Sequence, residues 1–339
     1  MLKLSVGYQY NEDALPFSKI VQTYKESIAE VYFAWIDQPS GRSRLCGFDG
    51  YFDYGLQDIM IAELKKIKDM GISLDLLFNA NCYGEDAISE VLQGRIVSVI
   101  DYLESVGCKP ETVTTASPAI AYMVKAQFPD ISVKASVNMK IGSVKGMQYV
   151  SHLFDQYCVA KECNRNPPLL KEMKAWAEEN GKKITILANS GCMRDCSGQI
   201  FHDNMVAHES EIAKQKNIEF LPYMCWNYLK DKKNFVSVLQ NTWIRPEDIQ
   251  NYEGLADCIK LATRTHALPG LVIGSYARGF FTGNLLDLFE PGFGPAFAPY
   301  VIDSTKIPDN FWKSTTECNK NCEKCDYCKN VLKEALIIS

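Results

Sequence analysis

Residues 73–107 read SLDLLFNANCYGEDAISEVLQGRIVSVIDYLESVG and show the pattern that decides the fold. The first six residues form a short, largely apolar run, which is typical of a buried strand. The second half has apolar residues at roughly helical spacing, at Ile88, Val91, Ile96, Val99 and Leu103. A second strand-like run, TVTTAS (112–117), follows closely. A strand, a helix and another buried strand in this order predict one unit of a parallel sheet.

The same alternation repeats about eight times along the chain. The strand-like runs are 3–8, 30–35, 73–80, 112–117, 131–138, 155–161, 183–190 and 257–263, and the clearest helical segments are 16–29, 55–70, 85–107, 167–181 and 268–281. Right-handed crossovers between eight such units predict a closed (β/α)8 TIM-like barrel. An open doubly wound sheet is the alternative. Gly181 stands where the end of a helix is expected.

Two segments depart from the regular repeat. About sixty-five residues separate the seventh strand from the eighth, which predicts a long, cysteine-bearing insertion at 190–250. After the eighth unit, the Pro- and Gly-rich stretch EPGFGPAFAP (290–299) leads to a cysteine-dense end. We therefore expect a barrel domain over 1–289, including the insertion, and a linker with a C-terminal metal-binding module over 290–339. No G-x-G-x-x-G or P-loop motif supports dinucleotide or nucleoside triphosphate binding.

The composition limits the kinds of partner and the cellular compartment that we expect for this protein. The chain has 339 residues, 47% hydrophobic and 23% charged, with a net charge of −5 and 13 cysteines. The acidic balance argues against nonspecific nucleic-acid binding and leaves a local basic patch open. The sequence has neither a signal-peptide-like start nor an apolar run long enough to span a membrane, so we expect a cytoplasmic protein. In a reducing compartment, clustered cysteines indicate metal ligands or catalytic thiols.

The C-terminal end reads CNKNCEKCDYC, with the spacing C-x3-C-x2-C-x2-C. Four thiolates so close in sequence can surround one metal centre without a long loop closure. We expect a metal site formed by Cys318, Cys322, Cys325 and Cys328. Both a [4Fe–4S] cluster and Zn²⁺ accept four thiolates, and the close, ferredoxin-like packing favours the cluster, with zinc as the alternative.

A second group of cysteines is expected at the mouth of the barrel. The stretch 187–204, LANSGCMRDCSGQIFHDN, places Cys192 and Cys196 just after the seventh strand. Cys82 follows the third strand, so the fold brings it to the same face, and Cys225 lies within the insertion. Four sulfurs there suit a second iron–sulfur cluster. Cys46 is the rival to Cys82 or Cys225.

The other cysteines have simpler interpretations. Cys108, Cys158 and Cys258 lie in or beside helices and strands and are expected to pack as small hydrophobic residues. Cys163 stands near a strand end, and its role stays open.

Polar residues gather where the strands end, at Tyr8, Trp35, Asn79, Asn138, Asn164, Asn189 and Arg264. Such positions line the catalytic mouth of a barrel, although asparagine is also common in turns. Arg264 is the strongest candidate, because a guanidinium can hold a carboxylate or phosphate with two hydrogen bonds. Asn79 and Asn189 are further candidates for substrate contact.

The histidines do not indicate a zinc protease. His202 and His208 are six residues apart and fall on nearly opposite faces of a helix, and the H-E-x-x-H motif is absent. His202 is expected to cover the cluster or to touch the substrate. The sequence has no G-x-S-x-G elbow, and its cysteines are grouped as for metal, so peptidase chemistry is disfavoured.

The stretch ANSGCMRDCSGQIFHDNMVAHE (188–209) resembles peptidase family U-32, the collagenase-like peptidases. NANCYG (79–84), WIRPEDIQNYEGLADCIKLATRT (243–265) and the C-terminal cysteines support the resemblance, which covers roughly 73–330. It implies a barrel fold and a [4Fe–4S] cluster held by Cys192 and Cys196, with Cys82 and Cys225 as companions. It also implies either oxygen-independent hydroxylation or proteolysis.

These observations lead to three hypotheses of different classes. The first is an oxygen-sensitive iron–sulfur enzyme carrying out redox or hydroxylation-type chemistry on an organic, peptide or nucleic-acid substrate. It would carry two clusters and draw on an electron donor or partner protein. The second is a noncatalytic, metal-stabilised scaffold for a modifying enzyme. The third is a peptidase.

Overall fold

A computed structural model describes residues 2–10, 15–41 and 54–338. Eight parallel strands close into a barrel, each paired with the next along the chain, and β8 pairs with β1. The prediction of a (β/α)8 barrel is therefore confirmed. The strands are β1 Lys3–Gly7, β2 Ile28–Ala34, β3 Ser73–Phe78, β4 Thr112–Thr115, β5 Ser132–Ala135, β6 Gln156–Cys158, β7 Lys183–Leu187 and β8 Cys258–Leu261.

The helices that follow the strands cover the outside of the barrel. Four of them, α3 to α6, begin at a Ser or Asn whose side chain accepts a hydrogen bond from a backbone N–H of the first turn. Gly181 follows α6 with a φ of 64°, as expected for a residue that ends a helix. The helices are α1 Phe17–Thr23, α2 Tyr54–Asp69, α3 Glu90–Ser105, α4 Pro118–Gln127, α5 Val144–Tyr149, α6 Pro167–Glu179, α7 Gln199–Ala207, α8 Glu209–Ala213, α9 Met224–Tyr228, α10 Pro269–Arg278, α11 Gly294–Phe297, α12 Phe311–Thr316 and α13 Tyr327–Ala335.

The barrel interior is polar, whereas the layer between strands and helices is apolar. Glu30, Asp75, Lys134 and Lys260 are charged residues on four different strands, and all are buried. Tyr32 also lies inside, with its hydroxyl donating to the carbonyl of Leu261 at 2.7 Å. Gly7 makes room for this ring, because a Cβ at position 7 would lie 2.7 Å from the Cζ of Tyr32.

The insertion after β7 contains α7, α8, α9 and a 3-10 helix at Lys232–Val238. Beyond α10, the chain adds α11 to α13 and a two-stranded antiparallel sheet of β9 Tyr300–Ile302 and β10 Leu336–Ile338. The insertion and this C-terminal extension share a second apolar core, in which Phe235 stacks on Phe297 and Trp243 on Phe311. The two segments that depart from the barrel repeat therefore pack as one unit. None of the described helices is long and apolar enough to cross a membrane.

Candidate functional site

A cavity of about 100 Å³ opens at the carboxyl end of the barrel, where the loops after the strands meet. This is the face on which (β/α)8 enzymes carry their active sites. Its lining includes Asn79, Asn138, Lys260 and Arg264, together with Cys192 of the insertion. Two of the predicted substrate-contacting residues, Asn79 and Arg264, thus lie in one cavity beside a predicted cluster ligand.

Four other polar or aromatic residues at strand ends, Tyr8, Trp35, Asn164 and Asn189, bind the backbone or pack in the apolar layer. Asn189 is fully buried, and its amide nitrogen donates to the carbonyls of Ala262 and Leu288 while its oxygen accepts from the N–H of Ala262 at 2.6 Å. Asn164 donates to two backbone carbonyls in the same way. These contacts assign Asn189 a role in holding β7, β8 and the loop at 288 together. Tyr8 and Trp35 pack in the apolar layer around the barrel.

Cys192, Cys196 and Cys225 line a second cavity next to the first. Cys225 stands in the first turn of α9, and burial together with its two neighbouring thiols raises its pKa. His202 lines the same cavity, and its ring meets that of Tyr223 edge-on at 5.2 Å. Three of the four sulfurs predicted for the barrel mouth are therefore neighbours, with His202 beside them.

The loop that carries Cys192 and Cys196 is held from three sides. Lys161 donates to the carbonyls of Cys192 and Met193 at 3.0 Å, and Asn241 donates to the carbonyl of Gly191 at 3.0 Å. Gly191 also passes close to the following segment, because a Cβ there would lie 2.0 Å from the carbonyl oxygen of Pro291. The glycine before the first cysteine is therefore required by a close backbone approach.

Cys82 has a different environment from the three mouth thiols. Its sulfur accepts a hydrogen bond from the N–H of Gly84 at 3.4 Å, and it is not among the residues lining the cavity of Cys192. Its loop nevertheless reaches the end of α7, because a Cβ at Gly84 would lie 3.6 Å from the ring of His208. Its part in a cluster stays a prediction, and its rival Cys46 lies outside the described residues.

The four C-terminal cysteines gather around a cavity of their own, as their spacing predicts. Cys322 and Cys328 are partly buried, and burial raises the pKa of the Cys328 thiol to about 11, with Cys322, Cys318 and Cys325 adding to the effect. The buried guanidinium of Arg165 opposes this shift. The guanidinium of Arg165 lies over the rings of Trp243 and Phe311 and donates to the hydroxyl of Thr315 at 2.6 Å. A cation next to the four thiols favours a negatively charged sulfur centre.

Both cysteine groups, at the mouth and at the C-terminal end, offer the donors of a thiolate-bound centre. Their sulfurs are not spaced as the ligands of one metal ion are. Among residues 2–10, 15–41 and 54–338, no three His, Cys, Asp or Glu side chains are placed to hold a metal ion. The described cysteines form no disulfides either. Four thiols around one cavity and three around another are the groups that iron–sulfur clusters and zinc use.

A charged network inside the barrel was not anticipated from the sequence. The Nζ of Lys134 lies 2.6 Å from Glu30 Oε1 and 3.1 Å from Asp75 Oδ2, and Thr114 also donates to Asp75. Burial raises the pKa of Asp75 to about 6, and Glu30 adds to this effect while Lys134 opposes it. The sequence did contain a sign of this network, because charged residues interrupt strands that are otherwise apolar. Cys158 and Cys258, expected as simple core residues, lie beside this network.

Cys108 and Cys163 behave as packing residues. Both are buried, and burial raises the pKa of the Cys163 thiol to about 11. A buried thiol of this kind stays protonated and unreactive at neutral pH.

Comparison with known proteins gives two informative similarities, while no family model matches. The chain is 25% identical over 278 residues to a protein named uncharacterized protease MJ1657 from Methanocaldococcus jannaschii, and the match covers 79% of each chain. The solved structure of the U32 peptidase Mk0906 superposes with a TM-score of 0.53 at 16% identity, covering 77% of this chain and 92% of that chain. The first similarity is thus to a protein named as a protease, and the second is to a U32 peptidase. At this identity, the structural match itself shows the shared fold.

Proposed function

We propose that the protein is an oxygen-sensitive iron–sulfur enzyme that carries out redox or hydroxylation-type chemistry at the barrel mouth. The observation that carries the proposal is the gathering of Cys192, Cys196 and Cys225 beside a cavity lined by Arg264 and Asn79. Cys192 lines both this cavity and that of the other two thiols. A substrate in the barrel mouth would therefore lie next to the sulfur group.

The two cysteine groups are close to each other, which supports a redox role for both. Arg194 lies between Cys192 and Cys196 in sequence, and its Nη2 donates to the sulfur of Cys322 at 3.6 Å. Gln240 lines both the cavity next to Cys196 and that of the C-terminal thiols. In this proposal, the C-terminal cysteines would hold a centre that accepts electrons from an external one-electron donor, and Arg194 would link the two cysteine groups.

The residues of the chain have distinct roles in this proposal. Cys192, Cys196 and Cys225 would hold one [4Fe–4S] cluster with a fourth ligand, for which Cys82 is the candidate, and the C-terminal four would hold another. A bound cluster with four thiolate ligands would supply one-electron transfer, whereas a mouth cluster held by Cys192, Cys196 and Cys225 alone would have an open position that polarises a substrate oxygen. Arg264 binds an anionic group of the substrate, and Asn79 accepts or donates a hydrogen bond at the rim. Lys161 keeps the cysteine loop in place.

Anaerobic purification with iron and sulfide analysis tests the proposal. We expect about eight irons per chain for two cubane clusters. Cys192→Ala should lose the mouth cluster and keep the C-terminal one, Cys328→Ala should do the reverse, and Cys108→Ala, a core cysteine, should change neither. About one zinc and no iron in the wild-type protein would contradict the redox proposal. A full iron content in Cys192→Ala would contradict the mouth site specifically.

Peptide hydrolysis is the second candidate, because the two matched proteins are named as a protease and a peptidase. A fluorogenic peptide library incubated with the iron-loaded and the metal-free protein would test it. Cleavage that survives in Cys192→Ala and needs no iron would favour this candidate over the first. Cleavage that is absent in every preparation would leave the redox chemistry as the better account.

A further inference from the structure

The lining of the mouth cavity includes Lys260, a buried lysine that packs against an aromatic ring. Lys260 is the third residue of the four-residue strand β8; it lines the cavity and is 8% exposed. Its Nζ lies 3.8 Å from the centroid of the Tyr32 ring. Within the described ranges it forms no ion pair, because the carboxylates of Glu30 and Asp75 are bound by Lys134. Lys260 is therefore a cavity-facing amine without a carboxylate of its own.

Burial changes the protonation of this amine. Loss of solvation is the largest effect and lowers the pKa of Lys260, because the ammonium form loses its water. The groups that face it from the other strands act in both directions: Cys158, Asp75 and Glu30 raise its pKa, and Lys134 lowers it further. A larger share of Lys260 is thus the neutral amine near pH 7 than for a solvated lysine. The neutral amine is the nucleophilic form.

We propose that Lys260 is a catalytic amine that forms an imine with an aldehyde or ketone bound in the mouth cavity. The lone pair of Nζ attacks the carbonyl carbon and forms a C–N bond. The carbonyl oxygen then leaves as water with the two protons of the amine, and a C=N bond remains. No oxidant or reductant is consumed, so the step stands independently of the proposed iron–sulfur chemistry.

The neighbours of Lys260 suit such an intermediate. A protonated imine carries a positive charge on nitrogen, and the face of Tyr32 stabilises a cation at that position. Asp75 belongs to the same charged network, its Oδ1 accepts no hydrogen bond from the described residues, and its pKa is raised to about 6. This carboxyl can therefore take up and return a proton near neutral pH. Asn79 and Asn138, at the cavity wall, can orient the rest of a small substrate.

Reductive trapping tests this proposal directly. The full-length protein is incubated with sodium cyanoborohydride and one of three small probes, glycolaldehyde, glyoxylate or pyruvate, and the modified lysines are located by peptide mass spectrometry. We expect Lys260 to be modified at least about tenfold faster than the average exposed lysine, because burial lowers its pKa and the cavity can hold the probe beside its amine. Trapping should be equal in the iron-loaded and the metal-free protein, which separates this result from the iron–sulfur proposal.

Two variants provide the controls. Lys260→Arg keeps a positive charge but cannot form an imine, so the Lys260 adduct disappears while the pattern elsewhere stays the same. Lys140→Arg removes another lysine that lines the cavity and should leave trapping at Lys260 intact. The mapping of the wild-type protein is decisive even if Lys260→Arg folds poorly. Modification spread evenly over exposed lysines, or absent from Lys260 with all three probes, would overturn the proposal.

Discussion

Replacing Lys134 by methionine should strongly destabilise the barrel. In the structure its Nζ binds both oxygens of Glu30 at 2.6 and 2.7 Å and Asp75 Oδ2 at 3.1 Å. Methionine fills a similar volume but leaves two buried carboxylates without the ammonium group that binds them. Removing one partner of a buried ion pair costs about 3–5 kcal/mol. For a chain of 339 residues this corresponds to a fall in Tm of about 4–7 °C.

The stability lost in Lys134→Met should increase as the pH rises. Lys134 lowers the pKa of Glu30, so in the wild-type protein this carboxylate stabilises the fold above its unfolded pKa, and the contribution is lost only as the pH falls through its folded pKa. Without Lys134, burial raises the pKa of Glu30 and raises that of Asp75 further above about 6. Both carboxylates then destabilise the variant above their unfolded values. The difference between variant and wild type should be largest above pH 6 and should shrink toward pH 4.

Thermal unfolding followed by circular dichroism between pH 4 and 8 measures both effects. Lys125→Met is the matched control, because Lys125 pairs with Asp155 at 2.8 Å where both side chains are about one third exposed. A surface pair of this kind contributes about 0–1 kcal/mol. Adding Glu30→Gln to Lys134→Met should recover part of the loss. A loss below about 1 kcal/mol, or one equal at pH 5 and pH 8, would refute this account of the barrel interior.

Two further substitutions test how the mouth is built. Gly191→Ala should destabilise the protein and disturb the cysteine loop, because its Cβ would collide with the carbonyl of Pro291; Gly94→Ala, on an open face of α3, should instead stabilise by about 1 kcal/mol. Equal thermal stabilities for the two variants would contradict the close approach at Gly191. Asn189→Ala should cost about 2–5 kcal/mol, because three buried backbone bonds lose their partner. A much smaller loss of stability accompanied by weaker substrate binding would instead place Asn189 in the substrate site.

The barrel could be predicted from the sequence because its signal is local and repeated. The strands are short runs rich in apolar and β-branched residues, and the longer helices have their own periodicity, as in α3 and α6. Eight repeats leave few topologies that obey right-handed crossovers. The first and last residues of each element were harder to predict. The helix expected over 16–29 is α1 at Phe17–Thr23, because β2 already begins at Ile28.

The site could be predicted only in part, because it depends on contacts between distant segments. Sequence spacing was sufficient for the four C-terminal cysteines, which lie within eleven residues. It gave no indication that the side chain of Asn189 binds the backbone at Ala262 and Leu288. The sequence marks Lys260 as a charged residue within an apolar strand, but it does not show whether this lysine faces solvent or a cavity.

The shared core of the insertion and the C-terminal extension links the two cysteine groups structurally. Arg165, which follows β6, reaches the carbonyl of Asn241 in the insertion and the hydroxyl of Thr315 in the extension. Arg194 reaches from the mouth loop to Cys322. The insertion, which carries the mouth cysteines, and the C-terminal extension, which carries the other four, therefore hold each other in place. Since ordering a metal site costs conformational entropy, a centre formed in one group should lower that cost for the other, so Cys192→Ala should keep its C-terminal centre but hold it more weakly than the wild-type protein does.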